Sequence, residues 1–188
     1  YMTFIKYTNY HYLYKDLQKT KSNPYLAHPS RIVISRTDSI GDVLLTLPMA
    51  GILKHHFPEC QILFLGKKYT QDIIENCEHI DEFIDYDQLQ ENMVSKIEAL
   101  EADIFIHVFP RQKLAESASK AKVPVRIGTS HRLYHLNNCN IKVNFGRRHS
   151  ELHEAQLNLN LLKPFGIDRF FTKSELQSYY GLALKKNS

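Results

Sequence analysis

Within the stretch RIVISRTDSIGDVLLTLPMAGIL, residues 31–53, an apolar run ends in the polar turn Thr37-Asp38-Ser39 and then meets Gly41-Asp42 before a second apolar run. A carboxylate at such a seam has two available uses. Asp is among the best N-cap residues, since its oxygen accepts an orphan backbone N–H at a helix start. It can also work as a general base, because the positive end of the helix dipole keeps it ionised near neutral pH. Both readings of Asp42 stand at this point. Pro48, six residues further on, removes one helical hydrogen bond and should bend the helix or mark a restart.

Basic residues recur downstream. Lys67, Lys68, Arg111, Lys113, Arg126 and Arg132 fall on or beside the segments that follow apolar strands, and arginine suits two-bond contact with phosphate or carboxylate. Each alone reads as solvated surface; together they suggest an anionic ligand. Thr129 ends one such strand, and His107 lies near the end of another, where a satisfied core histidine and a ligand contact are both open. His131, His135 and Cys139 repeat at steps of four, as do His149 and His153. That spacing permits metal ligands on a helical face, but Asn137 and Asn138 should break the helix and no fourth ligand is evident, so no metal site is expected.

The elements that must position these residues alternate. Strands are expected at 31–36, 61–65, 82–86, 103–109 and 124–128, with helices at about 42–56, 69–76, 88–101 and 111–121. A short extended piece follows at 141–145, then a helix at about 150–165 closed by Gly166. Such alternation implies α/β architecture, a mainly parallel sheet with helices on both faces. The run Ile104–Phe109 is apolar but for His107, as a central strand covered on both sides should be. In such sheets ligands bind beyond the carboxyl ends of the strands, which selects the loops 37–42, 66–69, 110–113 and 129–132.

Composition sets the outer bounds. The 188 residues suffice for one substantial core, and the 43% apolar and 23% charged content is that of a globular protein without a membrane-spanning run. Three scattered cysteines and no export signal suit a cytoplasmic location. The net charge of +4 conceals an uneven distribution: twelve acidic residues against three lysines from Glu59 to Asp103, then nine basic residues against Glu116 alone from Arg111 to Arg148. A polyanionic partner such as a phosphorylated substrate or an anionic membrane surface fits the second segment; nucleic acid does not, for lack of a recognition motif.

The string from Thr37 to Pro48, with the downstream text DIFIHVFPRQKLAESASKAKVPVRIGT and SELHEAQLNLNLLKPFGI, resembles glycosyltransferase family 9, the ADP-heptose:lipopolysaccharide heptosyltransferases. The resemblance covers about residues 31–182. Asp38 or Thr37 takes the first position of the motif, so that with Ser39 the serine pair often seen in the family's loop is only half kept, and His107 stands where the family commonly has an acidic residue. The resemblance implies a Rossmann-like three-layer α/β/α domain, the N-terminal half of a two-domain GT-B enzyme. The expected layout is an N-terminal extension at 1–30, an acceptor-side domain at 31–172 and the start of an interdomain linker at 173–188.

The resemblance further implies an inverting transfer of a heptose-like sugar from a nucleotide-sugar to an anionic glycolipid, in lipopolysaccharide biosynthesis. Asp42 would be the base, and Ser39, Gly41, Lys67, Lys68, Arg111, Lys113, Arg126 and Arg132 would bind acceptor. No cofactor is expected, the donor being a substrate held mainly by a second domain, and this chain alone should be inactive. Peripheral contact with the cytoplasmic face of the inner membrane is implied. A non-catalytic α/β module binding an anionic saccharide or nucleotide is the alternative. A receiver-type phosphoacceptor role for Asp42 fails because the loop lacks an acidic cluster for magnesium.

Overall fold

The computed structural model describes residues 23–146, 150 and 152–183. The tyrosines expected in an N-terminal docking helix, Tyr1 to Tyr14, lie outside the described residues, as do Arg147, Arg148 and His149. Chain order runs α1 (Pro24–Ala27), β1 (Arg31–Ser35), α2 (Ile40–Leu44), α3 (Leu47–His56), β2 (Gln61–Gly66), a 3-10 turn (Lys68–Thr70) and α4 (Gln71–Glu75). It continues with β3 (Glu82–Asp85), α5 (Tyr86–Leu89), α6 (Met93–Glu98), β4 (Ile104–His107), α7 (Gln112–Lys120), β5 (Val125–Thr129), α8 (Leu133–Asn138) and β6 (Ile141–Val143). It closes with α9 (Glu154–Asn158), a 3-10 segment (Leu159–Phe165) and α10 (Lys173–Gln177).

The six strands form one sheet in the order β3-β2-β1-β4-β5-β6, every neighbouring pair parallel. β1 and β4 are the central pair, in a register that sets Ser35 beside His107. Because side chains alternate across a strand, Ile32 and Ile34 enter one core layer and Val33 the other. The first layer gathers α1, α3 and the chain after β6 through Leu26, Leu53, Leu162, Phe171 and Leu176. The second gathers α5, α6 and α7 through Leu89, Ile97 and Leu114. Among the described residues no helix is long and apolar enough to cross a membrane. The three cysteines are free and buried, and burial pushes the Cys60 thiol up to about 11 and the Cys139 thiol up to about 12.

Several helices are shorter than the sequence suggests, each for a local reason. The expected helix at 42–56 is two helices: α2 ends at Leu44 and α3 restarts with Pro48 in its first turn. That helical turn leaves the missing proline N–H without consequence. The expected helix at 88–101 divides at Gln90–Asn92, where Asn92 takes a left-handed conformation (φ 57°). Asn137 and Asn138 do not break a helix; they are the last residues of α8. The expected helix at 150–165 begins only at Glu154 and tightens to 3-10 geometry from Leu159, ending on Gly166 at φ 79°. Beyond residue 172 the chain stays on the body: Leu176 is buried, and Glu78 N and Asn76 O bond Gly181 O and Ala183 N.

Candidate active site

Arg36, the first residue past β1, is the centre of the polar cluster at the carboxyl edge of the sheet. Its backbone N–H still bonds the sheet, to Leu65 O at 3.0 Å, so its side chain leaves on the face covered by α2, α3 and α9. The guanidinium is only 3% exposed yet fully engaged. Nε bonds Asp38 Oδ1 at 2.7 Å, Nη2 meets Asp42 Oδ1 at 2.8 Å, and Nη1 approaches Glu154 Oε1 at 3.5 Å and Asn158 Oδ1 at 3.4 Å. Asn158, wholly buried, donates in turn to Leu45 O and Thr46 Oγ1, both at 3.3 Å. The break between α2 and α3 is thereby tied to α9 and to Arg36.

Asp42 is not the N-cap. That position belongs to Ser39, whose Oγ accepts the Asp42 N–H at 3.3 Å and donates to Asp42 Oδ2 at 2.6 Å. The Asp42 carboxylate, 34% exposed, therefore has one oxygen on Arg36 and the other on Ser39. Burial works to raise its pKa, but the Ser39 hydroxyl bond and the Arg36 charge prevail and hold it below the usual carboxylate value. Asp38 shifts the other way: burial raises its pKa despite Arg36, and the Asp42 charge adds to the rise. Two carboxylates on one guanidinium are thus pushed apart in acidity, as acid and base groups of active sites often are.

The surrounding loop is held from two sides. Arg111 reaches across from the β4–α7 connection to bond Thr37 Oγ1 through Nε and Thr37 O through Nη2 at 3.0 Å, its guanidinium lying over Tyr86 and Phe109. Tyr69, in the 3-10 turn after β2, donates its hydroxyl to Asp38 O. Gly41 is exposed, and a Cβ there would meet nothing nearer than Ser39 Oγ at 3.9 Å. Packing does not require a glycine at that position.

The other residues singled out by sequence divide into groups. Lys67, Lys68, Lys113 and Arg132 sit in or beside the turns following β2, β4 and β5, on the same edge of the sheet as Asp42, with all but the half-buried Lys67 exposed. Thr129 ends β5 and serves its own turn, accepting the His131 N–H at 3.3 Å on Oγ1 and His135 Nδ1–H at 3.1 Å on its carbonyl. Arg126 departs from the expected set. It lies near the amino end of β5 and bonds Val123 O and Asn138 O, fastening β5 to the end of α8.

His107 is sealed in the opposite layer, 1% exposed, stacked on Phe105 with ring centroids 4.7 Å apart and 5.5 Å from His135. Burial, with the charges of His135 and Arg126 adding, drives its pKa down to about 3, so it is neutral at physiological pH. It does not reach the loop of Asp42. His131, His135 and Cys139 share no helical face: His131 precedes α8, His135 is buried within it and Cys139 follows its end. Among the described residues no group of three or more His, Cys, Asp and Glu could hold a metal ion.

Sequence reasoning passed over Arg36, Asp38, Glu154, Asn158 and Tyr69 as members of this cluster. Signals for two existed: Arg36 is the charged residue bordering the motif, and Asn158 interrupts the apolar run Leu157–Leu162. Nothing local marks Tyr69, whose contact with Asp38 spans 31 positions.

No family model matches the chain. It is 25% identical over 140 residues to a Haemophilus influenzae protein named "Putative glycosyltransferase", covering 72% of this chain and 40% of that protein. Among solved structures, a glycosyl transferase family 9 protein of Veillonella parvula is 23% identical, with a TM-score of 0.61 over 75% of this chain and 42% of that one. The E. coli heptosyltransferase WaaC with ADP is 20% identical, with a TM-score of 0.63 over 76% and 49%. E. coli ADP-heptose lps heptosyltransferase II is 15% identical, with a TM-score of 0.61 over 75% and 42%. The chain spans between two fifths and half the length of these relatives. Over that length its six-stranded parallel sheet and flanking helices have the α/β Rossmann-like fold of glycosyltransferase family 9 heptosyltransferase structures.

Proposed function

We propose that this chain is the acceptor-side half of an inverting glycosyltransferase, with Asp42 as general base, that moves a heptose-like sugar from a nucleotide-sugar to an anionic glycolipid. The observation that carries the reading is the Asp42 carboxylate itself, which is ionised, partly open to solvent and fixed by Ser39 and Arg36 at the carboxyl edge of β1. A helix cap needs none of this, since Ser39 already caps α2. Relatives of this fold bind ADP and ADP-2-deoxy-2-fluoro heptose, which supports a nucleotide-sugar as donor.

The acceptor hydroxyl oxygen attacks the anomeric carbon as the bond to the nucleotide phosphate breaks. The leaving diphosphate keeps the bonding electrons and the hydroxyl proton passes to the Asp42 carboxylate. A weak base suffices, because the hydroxyl becomes acidic only as the new bond forms. Lys67, Lys68, Lys113 and Arg132 supply positive charge around the acceptor, while Arg111 holds the loop. With basic residues on the same edge, peripheral contact with an anionic inner-membrane surface belongs to the same reading. In this reading the donor is held mainly by a second domain, and residues 1–188 alone should show no turnover.

The test is Asp42→Asn, assayed with a donor-side half supplied. Turnover should fall by about two to four orders of magnitude, the scale of general-base loss. Near-normal turnover at saturating donor and acceptor would remove Asp42 from the mechanism and favour a binding module.

A further inference from the structure

The Nε and Nη2 hydrogens of an arginine lie along one edge of a planar guanidinium, the edge that ordinarily grips a single carboxylate with two parallel bonds. In this protein the edge is divided. Nε goes to Asp38 Oδ1 at 2.7 Å and Nη2 to Asp42 Oδ1 at 2.8 Å, so neither carboxylate receives both. Asp38 is placed for this from two other elements: Tyr69 fixes its carbonyl oxygen, and Arg111 fixes the neighbouring Thr37.

Resting on the reading of Asp42 as the base, we propose that Asp38 is a positioning residue for the transfer: by occupying Arg36 Nε it denies Asp42 the second bond of the guanidinium fork and keeps that carboxylate available as a proton acceptor. Were Asp38 absent, Asp42 could rotate onto both Nε and Nη2. It would then be a weaker base, because an opposite charge bonded twice favours the ionised form more strongly. The charged and polar groups around it come from four places. Arg36, Asp38 and Ser39 belong to its own loop; Glu154 of α9 shares Arg36; Arg111 holds Thr37; and Tyr69 closes over Asp38. Asp38 also acts on Asp42 directly in the other sense, its side chain helping to hold the Asp42 pKa down, so the freed fork must outweigh the loss of that contact.

Carbon-detected NMR titration of the Asp42 carboxyl group in residues 1–188 separates these contributions. In Asp38→Ala, which frees Nε, the Asp42 midpoint should drop by about half a pH unit or more. In Asp38→Asn, which keeps an oxygen for Nε, the drop should be smaller. An unchanged or raised midpoint in Asp38→Ala overturns the proposal, and so does an equal drop in both variants, which would show that occupation of Nε does not decide it. Should Asp38→Ala fail to give a folded amide spectrum, Asp38→Ser takes its place under the same criteria. Because the readout needs no substrate, its failure is distinct from failure of Asp42 as base, which the Asp42→Asn turnover assay decides.

Discussion

Ser35 and His107 are register partners on β1 and β4, yet the polar groups at these two strand ends have opposite fates. Arg36, one step past Ser35, turns into the layer of α2 and α9 and binds three carboxylates and an amide; all three carboxylates, Asp38, Asp42 and Glu154, remain partly open to solvent. His107 turns into the other layer against Phe105, where among the described residues neither ring nitrogen meets a hydrogen-bond partner. A charge is retained near the surface because it is paired; an imidazole in a sealed layer discharges instead. Position at a strand's carboxyl end makes a residue eligible for function, and the face it takes decides whether it can serve.

The largest break in this comparison should come from Arg36→Met. Removing one partner from a buried ionic cluster leaves uncompensated charge, so unfolding in urea should show a loss of about 3 kcal/mol or more. The variant should also raise the Asp42 titration midpoint, since Arg36 is among the groups that lower it.

Arg111 and Arg132 sharpen the contrast between cations that build the site and cations that rim it. Arg111→Ala removes the two bonds to Thr37 and should cost about 1–2 kcal/mol. Exposed Arg132→Ala should stay within about 0.5 kcal/mol on the same denaturation curve. Equal losses would erase the distinction.

His107→Leu tests the sealed side. A raised-polarity core position without partners should gain about 1 kcal/mol when made apolar at similar volume. The pH dependence gives a second readout. The native pKa is depressed from 6.5 to about 3, so the unfolded chain binds the proton first and stability falls as pH drops from 6.5 toward 3. That contribution is fully present above about 6.5, and the acid limb of the stability profile should flatten in the variant.

The smallest structural effect should come from Gly41→Ala. A Cβ there enters open space within the first turn of α2, so stability should be unchanged or rise by up to about 1 kcal/mol. If the bare backbone serves acceptor approach, turnover should nonetheless fall, and unaltered kinetics would show that the glycine has no functional use.

The amino-acid sequence by itself determined the α/β alternation, the parallel sheet and the loop that bears Asp42. These follow from local causes: apolar runs of strand length, turn residues between them, and a proline that restarts a helix. It also carried Ser39 and Asp42, because their contact spans only three positions. Tertiary structure alone decided the rest. The cap was Ser39 rather than Asp42, Arg126 was a fastener rather than a ligand group, and Arg36 was the hub, joined to Glu154 and Asn158 across 118 and 122 positions. No pattern along the chain encodes such pairs, since the partners meet only when β1 and α9 are brought together by burial of the layer between them.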